Sequence, residues 1–258
     1  MTNQQILDIA MKQSAIDSNC SIEDFKITTN KVVISKKNQG ARHYLELPFE
    51  VDLTSYGNNV VASVSNELHQ IVSDYISKFD AYECFETPKL HLLMEKLKPF
   101  NMNVCFMAEY FLPDIDVIKS LECKYEIRIL ESEYFKDLYL PQWSNALCEK
   151  RKHLDKLAVG AYDNGKLIGL AGCSEDCETM WQIGIDVLPE YRRQGIASAL
   201  TSTLELECLA RDIVPFYCCA WSNIKSARNA IKSGFRPGWV QLTVKANDFI
   251  DNMNGKCL

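Results

Sequence analysis

IGIDVLPEYRRQGIASAL, residues 183–200, changes its period halfway along. Ile183, Ile185 and Val187 alternate with Gly184 and Asp186, the two-residue repeat of a strand with one apolar face. Beyond Gly195 the apolar residues Ile196, Leu200, Leu204 and Cys208 recur every four positions, which makes one buried stripe on a helix. The turn between them carries Arg192, Arg193, Gly195 and Ala197. It therefore sits at a helix N-terminus, where the first backbone N–H groups lack intrahelical partners and the helix dipole adds partial positive charge. An anion can be held there largely by main chain. Gly195 lets a phosphate approach with no Cβ in the way, Ala197 keeps the next position small, and the arginines add permanent charge. A diphosphate is the ligand that uses all of this at once.

The flanking chain supports that placement. KLAVGAY (156–162), the turn Asp163-Asn164-Gly165 and KLIGLAGC (166–173) read as a hairpin, since Asn-Gly tolerates positive φ. The strand TMWQIGIDVL, the turn, a helix to about 211, the strand PFYCCAW, a helix over 224–233 and a closing strand WVQLTVK follow. This order predicts a mixed sheet with crossover helices. Upstream, residues 3–16 and 67–79 read as helices, and so does TPKLHLLMEKLKPF (87–100), opened by Thr87 as N-cap with Pro88 behind it. KVVISK, HYLELPFEVDL and NVVASV read as strands, and MNVCFMAEYFL as a buried strand. After the proline turn FLPDID (111–116) the pattern restarts with KYEIRIL. The expected division is a smaller α+β domain over 1–120 and a second domain over 121–258.

Composition excludes several classes. The hydrophobic fraction is 47% and the charged fraction 24%, which suits a folded, water-soluble chain and neither a disordered nor a fibrous one. The N-terminus lacks a basic stretch followed by an apolar one, and no segment approaches 18 uninterrupted apolar residues, so a cytoplasmic protein with no membrane partner is expected. A net charge of -6 argues against a general nucleic-acid binder. Eleven scattered cysteines with no CxxC pair and four histidines read as reduced thiols filling apolar space, with no metal site.

The same turn has neither a P-loop lysine nor a GxGxxG fingerprint, which leaves coenzyme A as the remaining common diphosphate. Together with Asn223 and the Gly234-Phe235 pair, VLPEYRRQGIASAL makes residues 125–245 resemble the GNAT superfamily of acetyl-CoA-dependent N-acetyltransferases. HLLMEKLKPFNMNVCFMAEYFLPD extends a looser similarity to two-part bacterial GNAT proteins that include zwittermicin-resistance acetyltransferases. The resemblance implies a mostly antiparallel central sheet flanked by helices, with acetyl-CoA as cofactor. It implies that Val187 offers main-chain bonds to the pantetheine arm. Arg192, Arg193, Gln194, Gly195, Ile196, Ala197 and Ser198 would surround the pyrophosphate, and Asn223 would contact the cofactor beyond the next strand. Many of its members carry a tyrosine seven residues after the asparagine, where it protonates the leaving thiolate. Position 230 here is alanine, so that acid is missing or replaced.

Other candidates follow from the chemistry. A protonated amine must lose a proton before it attacks a thioester, and Asp186 on the central strand is the nearest carboxylate, either a base or a cap on backbone amides. Glu175, Asp176 and Glu178 form an acidic turn able to draw in a cationic amine, with Glu178 as a second candidate base. Lys225, Arg228 and Lys232 share one helix face, which reads either as solvated or as a partner for the adenosine 3'-phosphate. Trp181 and Trp221 read as core, and Cys218 and Cys219 have no histidine near in sequence to activate them. The function these readings favour is acetyl transfer to the primary amine of a small metabolite or antibiotic by a monomer or homodimer; the other is a non-catalytic acyl-CoA sensor. The first domain lacks the Arg-x-x-Gly pattern after NVVASV and is expected to bind no cofactor.

Overall fold

The computed structural model describes residues 1–255. In chain order the elements are α1 (Asn3–Ser18), β1 (Lys31–Ile34), β2 (Val51–Ser55), β3 (Val61–Val64), α2 (His69–Ile76), α3 (Thr87–Leu97), β4 (Met102–Pro113) and β5 (Glu126–Glu131). There follow β6 (Asp155–Asp163), β7 (Lys166–Glu175), β8 (Met180–Val187), α4 (Ile196–Leu209), β9 (Val214–Ala220), α5 (Ile224–Ser233), β10 (Phe235–Ala246) and α6 (Asn247–Met253). The fold class is α+β with mostly antiparallel pairing. The β1–β3 and β8–β9 pairs are parallel.

Two compact units form, and each is assembled from two pieces of chain: Met1–Ile9 with Tyr110–Pro237, and Ala10–Glu109 with Gly238 onward. This differs from a single division near residue 120. β10 runs on past Pro237, and its Val240–Val244 pairs antiparallel with Ser55–Val51 of β2, so the end of the chain joins residues 10–109. Conversely, Asn3 donates through Nδ2 to Asp114 (3.0 Å) and Asp116 (2.9 Å) and accepts from the Ile115 amide, which ties the first residues to the later piece. The last three residues of the expected 121–258 domain lie outside the described residues.

In the first unit the strand order is β9-β8-β7-β6-β5, with the Tyr110–Pro113 end of β4 beside β9. Asn164 (φ 49°) and Gly165 (φ 82°) make the tight β6–β7 turn that the Asn-Gly pair predicts. α4 connects the parallel strands β8 and β9 and buries Ile196, Leu200, Leu204 and Cys208 against Leu157, Val159, Ile168 and Ile183. Each large apolar side chain so buried contributes about 1.5–3 kcal/mol, which is why the four-residue repeat fixes this helix to the sheet. In the second unit, α2 and α3 cover the sheet through Leu68, Val72, Leu90, Leu93 and Leu97, packed on Leu53, Val64 and Leu242.

Three element readings change. HYLELPFEVDL forms a strand only from Val51, because Pro48 has no N–H to give a ladder. Glu86, not Thr87, is the N-cap of α3, and no side chain caps it; Pro88 does stand in the first turn, where a missing N–H is harmless. MNVCFMAEYFL is buried only at its far end: Phe111 is fully buried, whereas Phe106 is 40% exposed.

Candidate active site

Gly195 is the N-cap residue of α4, in the left-handed conformation (φ 83°), and no side chain caps this helix end. The first intrahelical bond runs from the Ala199 amide to the Gly195 carbonyl (3.1 Å), so the amides of Ile196, Ala197 and Ser198 stand ahead of it without helical partners. A Cβ built on Gly195 would meet nothing within 4 Å, and any side chain there would project into this open cradle. Arg193 also takes positive φ (62°), which turns the chain sharply into the helix.

The cradle opens into a cleft of about 980 Å³ in the first unit. Its wall includes Val187, Arg192, Arg193, Gly195, Ile196, Ala197, Ser198 and Asn223, eight of the residues expected at the cofactor. Gln194 belongs to the turn but not to the wall, because its Oε1 accepts a hydrogen bond from the Tyr125 hydroxyl (3.0 Å). The carbonyl of Val187 already accepts from Arg192 Nε (2.9 Å). Lys225, Arg228 and Lys232 border the same cleft, which brings five basic side chains around one space in a chain of net charge -6. Sequence spacing placed those three on one helix face; only the fold shows that the face is turned to the cleft. Asn223 caps α5 by accepting from the Ser226 amide (3.2 Å).

The cleft forms where two strands part. β8 and β9 pair from Met180↔Val214 to Ile183↔Tyr217 and no further among the described residues. The Leu188 amide bonds Ile168 on the β7 side, so by strand alternation the amides of Ile185 and Val187 face away from β7, toward the opening. Tyr217 closes the inner end of the gap. Burial holds its phenol pKa above the ordinary value, against the opposing hydrogen bonds from Ser226 and Asn229.

The acid–base candidates fare differently. Asp186 is on the wall, but its carboxylate accepts three hydrogen bonds: from the Asn145 amide (2.8 Å), Asn145 Nδ2 (2.6 Å) and the Ala146 amide (3.0 Å). That is the amide-capping role. Gly184 explains how the segment comes so near, since a Cβ there would collide with the Asn145 carbonyl. Glu178 is exposed in the β7–β8 turn, beyond the end of β8 far from Val187, and the strand between them spans roughly 23 Å at 3.3 Å per residue. It does not reach the cleft. The acidic turn is also largely neutralised: Glu175 pairs with Lys156 (2.8 Å), and Asp176, fully buried, pairs with Arg151 (3.4 Å). Ala230 is fully buried in α5. Trp181 packs against the core as expected, but Trp221 is 49% exposed. Among the described residues, no three His, Cys, Asp or Glu side chains are grouped to hold a metal ion, and no helix is long and apolar enough to cross a membrane.

Fold and site together define an α+β protein in which an uncapped helix end, bordered by basic side chains, opens onto a gap between two parallel strands. The sequence model of the family described as GNAT acetyltransferase matches residues 60–238, and the chain belongs to that family. The match begins well before residue 125, where the motif-based resemblance starts. Among solved structures, the chain is similar to a GCN5-related N-acetyltransferase-like protein from Streptococcus suis, with 18% identity over 60% of this chain and 66% of that one and a TM-score of 0.44. The chain thus spans just under two thirds of that relative. It is also similar to a GCN5-related N-acetyltransferase from Sphaerobacter thermophilus, with 13% identity, 79% and 82% coverage and a TM-score of 0.48. A functionally unknown conserved protein from Staphylococcus epidermidis gives 16% identity, 89% and 98% coverage and a TM-score of 0.48. No curated protein matches the chain.

Proposed function

We propose that this protein transfers the acetyl group of acetyl-CoA to the primary amine of a small molecule by direct attack within a ternary complex. The observation that carries the reading is the uncapped end of α4, with open space above Gly195 and five basic side chains around the cleft. A diphosphate fits this donor set: the amides of Ile196, Ala197 and Ser198 bind it, and Arg193 adds charge. Lys225, Arg228 and Lys232 suit the adenosine 3'-phosphate. The amides of Ile185 and Val187 face the gap that a pantetheine arm would enter, and there they can polarise a thioester carbonyl. When bound, acetyl-CoA supplies an acyl group already activated as a thioester. What the chain adds is orientation: it fixes one end of the donor at a helix terminus and leads the other along β8. Asp186 holds the 145–146 segment beside the strand, so the amine's proton leaves to water rather than to this carboxylate.

Calorimetric titration with acetyl-CoA tests the site. Gly195→Glu puts an anion into the cradle and should weaken binding by more than about 2 kcal/mol, roughly 30-fold, through repulsion and lost contacts. Unchanged affinity in a folded variant would remove the site. A coenzyme A release assay against a panel of primary amines tests the reaction; binding without turnover on any amine would favour an acyl-CoA sensor.

A further inference from the structure

An acyl transfer from a thioester expels a thiolate, and the residue seven places after Asn223, where a hydroxyl could meet it, is a buried alanine. The fold supplies a hydroxyl to the cleft from another element, β9. Tyr217 lies on β9 at the last register pair before the strands diverge, and its side chain forms part of the cleft wall. Its phenol oxygen is 2.8 Å from Ser226 Oγ in the first turn of α5. Ala230 stands four residues beyond Ser226 on the same helix face and belongs to the same core cluster as Tyr217, so the phenol meets the face of α5 that carries the alanine. The ring is held in place by Phe111, edge-on with centroids 6.4 Å apart, and by Phe235 at 6.0 Å. Of the other wall hydroxyls, Tyr191 bonds Asp163 Oδ2 (3.0 Å), Ser198 donates to the Gly195 carbonyl (3.0 Å), and Ser226 is the phenol's own partner.

We infer that Tyr217 is the proton donor to the departing thiolate, in place of the acid that α5 lacks. The inference rests on the acetyl-transfer reading above. The amine nitrogen forms the new bond to the acyl carbon with its lone pair. The carbon–sulfur bond breaks, its electron pair goes to sulfur, and sulfur takes the phenolic proton to become a free thiol. The phenolate regains a proton from solvent by way of the Ser226 hydroxyl, while the nitrogen gives up one proton to water, so no other reactant is consumed. Burial keeps the phenol protonated at neutral pH. The thiols of Cys219 and Cys218 on its own strand add to the upward shift; α5 presents Ser226 and Asn229 to the phenol and carries Lys225, Arg228 and Lys232 on the border of the same cleft, while Phe111 of β4 and Phe235 of β10 do not titrate.

The test uses the full chain with an amine that the wild-type protein acetylates. Tyr217→Phe should lower kcat by about 10²-fold, the scale of a lost general acid, with acetyl-CoA affinity by calorimetry unchanged. Because that variant removes a buried hydrogen bond and could fold poorly, a second measurement keeps the ring and its hydroxyl. 3-Fluorotyrosine at position 217 has a more acidic phenol, so the alkaline limb of the kcat profile should move to lower pH. The fluorine NMR signal of the same protein should shift on adding coenzyme A and shift less with desulfo-coenzyme A, a readout independent of turnover. Full activity in Tyr217→Phe, an unmoved alkaline limb, or equal shifts with both ligands would overturn the assignment. A wild-type protein that turns over no amine would overturn the transfer reading instead.

Discussion

At the scale of single residues, a side chain's burial and partners decide its chemistry, and Glu205 shows this outside the cleft. It lies on α4, fully buried, and neither carboxyl oxygen has a hydrogen-bond partner among the described residues. Burial raises its pKa to about 9, with Cys208 and Asp114 adding to the effect. The folded protein therefore keeps this proton up to about pH 9, whereas the unfolded chain releases it near the ordinary glutamate value of about 4.3. Unfolding releases a proton throughout that window, so the group's contribution to stability is present at low pH and is lost as pH rises. Glu205→Gln should remove a slope of up to about 1.4 kcal/mol per pH unit between those limits. Urea unfolding at pH 5, 6.5 and 8 checks this, and parallel lines for the two proteins would show that Glu205 is charged or solvated in the fold. None of this was legible in the sequence, where Glu205 is one more acid on an amphipathic helix. The helix-end glycine and its arginines were legible, because their chemistry is local: a glycine, two cations and a change of period within a dozen residues. Tyr217 was not, since what singles it out is Ser226 across a strand-to-helix connection and the point at which β9 leaves β8.

At the scale of elements, β8 carries a lesson about what alternation can tell. The two-residue repeat puts Asp186 on the face opposite Ile185 and Val187, but it cannot say what covers that face. The cover is the 145–146 segment, 41 residues away in sequence, admitted by Gly184 and fastened by three hydrogen bonds to Asp186. A carboxylate held in this way positions its neighbours. Asp186→Ala leaves two backbone N–H groups without their acceptor, and it should cost about 1–3 kcal/mol of stability if both stay out of water. If Asp186 acts only as this clamp, activity should fall by a similar factor at every pH, because the misplaced segment does not titrate. If it were a base, raising the pH above the amine's own pKa would restore activity to the variant. Rate–pH profiles of the two proteins, with Tm measured alongside, separate the two roles.

At the scale of the whole chain, the two units interleave in sequence, which is why a boundary near residue 120 could not be drawn correctly from composition. The closing strand reads in sequence as WVQLTVK alone, whereas β10 starts earlier, at Phe235, and its two ends belong to different units. The chemistry does not interleave. All five basic residues of the cleft and the uncapped end of α4 belong to the first unit, so the positive field is local although the chain as a whole is acidic. In the second unit the connection from β3 to α2 is Ser65-Asn66-Glu67-Leu68, which brings an acid and no arginine or glycine to the helix end, and Leu68 at the N-cap is fully buried. An anion meets neither open space nor added positive charge there. Titration of the full chain with acetyl-CoA should therefore saturate at one equivalent, and Gly195→Glu should weaken that single event rather than one of two. Because the attraction is largely electrostatic, affinity should also fall as salt rises from 50 to 500 mM, on the way from a Debye length of about 14 Å to about 4 Å. Two equivalents, or one equivalent untouched by both the variant and salt, would move the binding site away from α4.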